Sequence, residues 1–191
     1  MRAEAAVTRP VTQYLTFTVA GEEYAIAALR VREILAYSPL TRVPRAPGFI
    51  CGVMNLRGSV IPVVDLRVKL ALPPTPITPL TCIVIVEVEG EQGQTTMAIL
   101  ADEVRDVVDL TDEQIEPTPT FGTRIDFSFL HGMGDAGDHF LLLLNADKVL
   151  TTLELIAAQN VAVEAKPGDG PDGSKASVSK KKKRQREDLP A

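Results

Sequence analysis

The sequence predicts an all-β architecture, a barrel or sandwich, and three observations carry that expectation. Apolar residues recur mainly at every second position, the apolar runs are short and separated by turn signals, and helical spacing is confined to brief stretches. In the first run Leu15, Phe17 and Val19 alternate with Tyr14, Thr16 and Thr18, which gives a strand one apolar face and ends it at Ala20-Gly21-Glu22. Tyr24-Ala25-Ile26 forms the return strand. Ala28, Val31 and Leu35 stand at helical spacing, predicting a short helix or turn over 28–35, and Pro39, Pro44 and Pro47 forbid anything long after it.

The stretch Gly52-Val53-Met54-Asn55-Leu56-Arg57-Gly58-Ser59-Val60-Ile61-Pro62-Val63-Val64-Asp65-Leu66-Arg67 reads as a hairpin. Its two apolar runs flank Arg57-Gly58, where glycine supplies the positive φ of a tight reversal. Pro62 cannot donate a ladder hydrogen bond and is expected at a sheet edge or a bulge. Leu72 to Pro79 is a stiff, proline-dense connector, expected near 71–80 as the divider between two halves. Beyond it, Thr81–Val88 and Thr95–Leu100 read as strands around a polar turn, with a third at Val104–Val108. Thr111-Asp112-Glu113-Gln114 has the form of a capping box and predicts a single helical turn before Pro117. Phe127–Leu130 and Phe140–Leu144 are expected to pair. Asn145 is placed to cap a closing helix through Ile156 with Val149, Leu150, Leu153 and Ile156 as its buried stripe. After Ala158 glycine, proline, serine, aspartate and lysine dominate. So little apolar area cannot offset the entropy of ordering, and a disordered tail over 159–191 follows.

The chain has 191 residues, 45% of them hydrophobic, enough for one domain with a substantial core. Cys51 and Cys82 match no zinc spacing and read as small buried hydrophobes in a reducing compartment. Met1 to Thr12 lacks a signal-peptide core and no run nears ~18 consecutive apolar residues, so a cytoplasmic protein is expected. The net charge of −5 conceals a division: residues 159–191 carry eight basic and five acidic residues, leaving the remainder with twelve basic and twenty acidic. A folded body of that sign is poorly suited to nucleic acid, whose binding rests on a basic face, and no nucleic-acid partner is expected. Lys180, Lys181, Lys182 and Lys183, with Arg184 and Arg186, form a terminal charge run whose plain reading is a solvated tail. Its sharper reading is a weak contact with an anionic membrane surface.

No catalytic constellation emerges. His131 and His139 bracket a glycine loop with Asp135 and Asp138, but the spacing is no recognised ligand pattern and a plain hairpin explains it. Gly132, Gly134 and Gly137 spell G-x-G-x-x-G, yet a strand follows them where a dinucleotide site needs a helix N-terminus. There is no Gly-x-Ser-x-Gly elbow, Walker loop or His-Glu-x-x-His, so no enzyme, no metal and no cofactor are expected. A protein-interaction module and a small β-barrel ligand-binding module are the readings that remain.

Gly52-Val53-x-Asn55-Leu56-Arg57-Gly58-x-Val60-x-Pro62-Val63-x-Asp65-Leu66-Arg67 closely resembles the central motif of the CheW family of bacterial chemotaxis coupling proteins. Glu22-Glu23-Tyr24, Val31-Arg32-Glu33-Ile34 and Thr41-Arg42-Val43 resemble it upstream, and Asp102-Glu103-Val104, Glu113-Gln114-Ile115 and Gly132-x-Gly134 downstream. The resemblance covers about Tyr14 to Ala158, a domain over 12–158. It implies two intertwined SH3-like five-stranded β-barrels sharing a hydrophobic centre. It also implies an adaptor that couples chemoreceptor cytoplasmic hairpin tips to the regulatory domain of a CheA-type histidine kinase in a membrane-associated array. A coupler of a non-flagellar chemosensory pathway is the nearest alternative. By the same resemblance Glu33 and Arg57 form an ion pair shaping the binding surface, although an exposed pair of little weight is the plainer possibility. Val31, Ile34 and Gly52 line the receptor groove, with core packing the competing role for Ile34, and Phe121 contacts the kinase regulatory domain. Glu116 departs from the family pattern, in which a basic residue is found nearby.

Overall fold

The computed structural model describes residues 10–90, 93–118 and 127–149. Eleven strands among them form two sheets, with only short helical turns. The chain opens with β1 (Val11–Val19) and β2 (Glu22–Ala27), which pair antiparallel across the Ala20-Gly21 turn. It then leaves that sheet and builds all of the other: β3 (Val31–Ala36), β4 (Ile50–Leu56), β5 (Ser59–Asp65), the one-turn helix α1 (Leu66–Lys69), β6 (Cys82–Gly90) and β7 (Gly93–Ala101). It returns with β8 (Glu103–Thr111), β9 (Ile115–Glu116), β10 (Leu130–Asp135) and β11 (Phe140–Leu144), ending in α2 (Ala146–Val149). The sheet orders are β8-β1-β2-β11-β10-β9 and β3-β6-β7-β5-β4.

The proline connector therefore does not divide the molecule in two. The strand after it, β6, pairs with β3 and β7, and β7 runs parallel to β5, so strands on both sides of the connector share one sheet. A run of prolines interrupts the hydrogen-bond ladder; it carries no information about which sheet the next strand joins. The helical spacing over 28–35 also resolves differently. Only Ala28–Arg30 is a 3-10 turn, and Val31–Ala36 is a strand of alternating exposure on the rim of the second sheet. At the other end, Phe127–Phe129 is a 3-10 turn and the strand starts at Leu130. The closing helix is described through Val149 only, where Asn145 Oδ1 accepts from the Lys148 amide at 3.1 Å; Leu150 onward, with the expected stripe and tail, lies outside the described residues.

Three apolar clusters explain the alternation. Leu15, Phe17 and Val19 of β1 face Val84, Val86 and Val88 of β6 in a shared centre between the sheets. The intervening Ile83 and Ile85 point the other way, joining Ile61, Val63, Ala98 and Leu100 inside the five-stranded barrel. Tyr14 and Ala25 meet Leu110, Leu141 and Leu143 inside the other. A strand such as β6 is buried on both faces and reads as a continuous Val/Ile run for that reason. Pro62 is tolerated inside β5 because parallel pairing with β7 begins only at Val63. The glycines of β10 sit where there is no room for a Cβ: on Gly132 it would lie 2.8 Å from the Glu116 carbonyl oxygen, and on Gly134 2.6 Å from Leu110 Cδ1. Their G-x-G pattern is thus a packing requirement within a strand. Thr111 opens a single 3-10 turn at Asp112–Gln114, its amide donating to Gln114 Oε1 at 3.1 Å as a capping box requires. Among the described residues no helix is long and apolar enough to cross a membrane.

Candidate functional site

The Arg57-Gly58 turn takes φ of +52° and +87°, the twist of a two-residue hairpin, and Asn55 Oδ1 secures it by accepting from the Gly58 amide at 2.9 Å. This holds Arg57 at the open end of the five-stranded barrel, where its guanidinium donates to Glu33 Oε1 of β3 at 3.1 Å. The two side chains flank a cleft of about 510 Å³ together with Arg32, Leu56 and Thr96. The Arg57 side chain is 77% exposed and Glu33 29%, so water screens the pair and its contribution to stability falls in the range of about 0–1 kcal/mol. Glu33 and Arg57 meet at an exposed surface, and the pair does not hold the fold.

Val31 and Ile34 lie on one face of β3. They pair with Val86 and Val84, both members of the shared centre; Val31 packs against that centre, while Ile34 stands out from it at the free rim of the sheet. Val31 is half-buried and Ile34 43% exposed, because no strand covers β3 on its outer side among the described residues. Just before them Leu29, at the tip of the 3-10 turn, is 95% exposed. Arg30 beside it is pinned to Asp147 of α2 at 2.9 Å, and Asp147 also accepts from the Glu89 amide at 2.7 Å. The rim of β3 is therefore an apolar edge on a rigid joint between the two sheets.

Gly52 is not part of that rim. It is buried in β4 under Leu40 and Thr41, which cover it from the surface. Phe121 lies outside the described residues.

Sequence reasoning passed over the charged group with the best-built surroundings. Arg67, 4% exposed, grips Asp65 with two bonds, Nε to Oδ1 at 2.7 Å and Nη2 to Oδ2 at 3.1 Å, and reaches Asp102 Oδ1 at 3.0 Å with Nη1. The same nitrogen meets the Thr75 hydroxyl, which donates to Asp102 Oδ1 at 2.6 Å. The far oxygen of Asp102 accepts from the Ala20 amide at 2.7 Å. One guanidinium thus joins β5, the connector and the β7–β8 junction, and through Asp102 the β1–β2 turn of the other sheet. Burial alone would lower the Arg67 pKa; the hydrogen bond and charge of Asp65, with the charge of Asp102, more than offset it, so the group stands above its ordinary value. The available signal was Asp65-x-Arg67 directly after an apolar strand, a carboxylate that both caps a turn and meets the cation two residues on.

The remaining ionisable groups are unremarkable as chemistry. Burial pushes the Cys51 thiol up to about 11, far from a reactive thiolate, and it donates to the Val63 carbonyl at 3.3 Å. His139 places its two ring nitrogens 2.6 Å from Asp138 and 3.2 Å from Glu23, and the Asp138 hydrogen bond foremost raises its pKa. Among the described residues no three His, Cys, Asp or Glu side chains are grouped to hold a metal ion.

The sequence profile described as the CheW-like domain matches residues 13–154. The chain is 39% identical over 150 residues to the chemotaxis protein CheW of Klebsiella aerogenes, covering 78% of this chain and 88% of that protein. It is 32% identical over 152 residues to protein FrzA of Myxococcus xanthus, covering 79% and 92%. Among solved structures, the scaffolding protein TtCheW of Thermoanaerobacter tengcongensis superposes with a TM-score of 0.66 at 27% identity, over 76% of this chain and 91% of that one.

Proposed function

Since this chain belongs to the CheW family and is a chemotaxis coupling adaptor, we propose that it holds a chemoreceptor hairpin tip and the regulatory domain of a CheA-type histidine kinase in fixed relation, without chemistry of its own. The observation that carries this reading is the rim of β3, where Val31 packs against the core shared by both sheets and Ile34 stands exposed beside it. A helical hairpin tip needs such a seam, because helix-in-groove binding draws its affinity from apolar fit. The Glu33–Arg57 pair at the neighbouring barrel mouth supplies direction and charge, features that tune partner choice more than stability. Phe121 completes the reading as the aromatic contact to the kinase regulatory domain. The chain is recruited to the membrane through its receptor partner.

Kinase autophosphorylation in receptor-bearing membranes tests this. Adding the chain is expected to stimulate the kinase strongly, and Arg57→Glu to abolish most of the stimulation while leaving the unfolding midpoint nearly unchanged, as suits an exposed pair. No stimulation with any receptor would reject the reading. Similarity to FrzA, a relative carrying a name other than CheW, favours one second reading: a coupler in a chemosensory pathway that does not drive flagella.

Lys180 to Lys183 add a weak anionic-membrane contact to this proposal, each cation near such a surface contributing about 1 kcal/mol. Vesicles containing anionic lipid are expected to retain the full chain in a flotation assay and to lose it on truncation after Gln159. Equal retention of both would remove the contact.

A further inference from the structure

The one-turn helix α1 carries two cations, Arg67 and Lys69, that the coupling reading above does not use. They stand two positions apart, a spacing at which helical side chains do not share a face. Arg67 reaches Asp102, whose other oxygen holds the Ala20 amide of the β1–β2 turn. Lys69 meets a different part of that sheet. Its Nζ lies over two rings, 4.6 Å from the centroid of Phe49 and 5.7 Å from that of Phe129, both within the ~6 Å reach of a cation–π contact. Phe49 belongs to the five-stranded side: it precedes β4, and its carbonyl accepts from the Asp65 amide just ahead of α1 at 2.8 Å. Phe129 belongs to the six-stranded side. It ends the 3-10 turn that leads into β10, and its carbonyl accepts from the Asn145 amide at 2.8 Å. Both rings are half-buried against the centre shared by the two sheets, as is Leu70 beside Lys69. An ammonium between rings rooted in different sheets is attracted to both, more strongly beside that apolar layer than in open water.

We propose that Lys69 is a positioning residue for coupling, its charge clamping Phe129 to α1 so that the two barrels keep one relative orientation. The role rests on the coupling proposed above. Hydrophobic burial is non-directional, so the valine layer between the sheets supplies cohesion more than angle. A single joint between two bodies still leaves a rotation about it. The Arg67 joint at the β1–β2 turn and the Lys69 clamp at the entry to β10 start from the same helical turn, and together they remove that rotation. Phe129 also stands in the β9–β10 connection that carries Phe121. The clamp therefore ties the segment assigned to the kinase to the barrel assigned to the receptor, and Lys69 touches neither partner.

The test uses the full chain. Lys69→Met keeps a long, flexible apolar side chain and removes the charge, while Lys69→Arg keeps a cation that stacks on aromatic faces. In receptor-bearing membranes Lys69→Met is expected to lower the maximal kinase stimulation about threefold or more, and Lys69→Arg to restore most of it. Calorimetry with the receptor fragment alone, and with the kinase regulatory domain alone, should give unchanged Kd values for Lys69→Met. In the free chain the Asn145 and Asp65 amides, bonded to the carbonyls of the two phenylalanines, should lose hydrogen-exchange protection several-fold in Lys69→Met while amides of β6 and β7 keep theirs. Phe129→Leu should reproduce the loss of stimulation, and the double variant should add nothing to it, as residues of one contact require. Full stimulation by Lys69→Met, no rescue by Lys69→Arg, or additive losses in the double variant overturns the proposal. Weaker binding of Lys69→Met to one partner alone would make Lys69 a contact residue and overturn it equally. No stimulation by the unaltered chain rejects the coupling reading instead, and the clamp is then judged by exchange alone, where unchanged protection overturns it.

Discussion

Arg67→Ala is expected to lower the free energy of unfolding by about 3–5 kcal/mol in urea denaturation, against about 1 kcal/mol or less for Arg57→Ala. Both arginines stand in the most recognisable stretch of the sequence and both pair with a carboxylate, so the contrast isolates burial. Removing Arg67 leaves Asp65 and Asp102 facing one another's charge around Thr75, with the cation that satisfied both gone. Water can reach Glu33 once Arg57 is removed, and the loss there is mostly solvent-screened. Since domains of this size are stable by about 5–15 kcal/mol, the Arg67 variant loses a large share of the total. The corresponding drop in unfolding temperature is about 10–15 °C. Arg67→Lys should recover little, because an ammonium cannot form the two-pronged contact to Asp65 while also reaching Asp102. A loss under about 1 kcal/mol for Arg67→Ala would refute the joint. A double-mutant cycle with Asp102→Ala then measures how much of it passes through the contact between the sheets.

Much of this was legible in the sequence because local physics fixes it. Leu15, Phe17 and Val19 announced β1 and its buried face, Arg57-Gly58 announced a hairpin, and Thr111-x-x-Gln114 announced a capped turn. What stayed hidden depends on which strand meets which. Strands on both sides of the connector share one sheet, a fact about pairing that no periodicity encodes. Residues 28–35 carried helical spacing by coincidence; Val31 and Leu35 pack into two different apolar clusters on opposite faces of a strand, a division a single helical stripe could not satisfy. The site residues divide the same way. Glu33 and Arg57 stood as a pair through resemblance, with an exposed pair as one of two readings, and the 77% exposure of the Arg57 side chain selects that one. Arg67 hid because its second carboxylate, Asp102, is 35 residues away and Thr75 sits in a segment that reads as mere linker.

Gly52 separates a structural from a binding role most sharply, and Gly52→Ala is expected to destabilise the protein by about 2–4 kcal/mol. A Cβ there would stand 2.8 Å from Leu40 Cβ and 2.8 Å from the Thr41 carbonyl oxygen. Neither is the end of a flexible side chain, so the segment at 40–41 must lift from β4. That movement breaks the two backbone bonds that hold it, Thr41 N to Val53 O at 3.0 Å and Val53 N to Thr41 O at 2.9 Å. Hydrogen exchange at those two amides reads the event directly, and their protection should fall by about tenfold or more in the variant while amides of β1 and β2 lose only the global share. A coupling defect in Gly52→Ala would then follow from lost stability and not from a lost contact at Gly52 itself. The opposite pattern, full stability and full protection with coupling lost, would make Gly52 a point of contact after all. The partner would have to reach it by displacing Leu40 and Thr41, because these residues lie between Gly52 and the surface in the free protein.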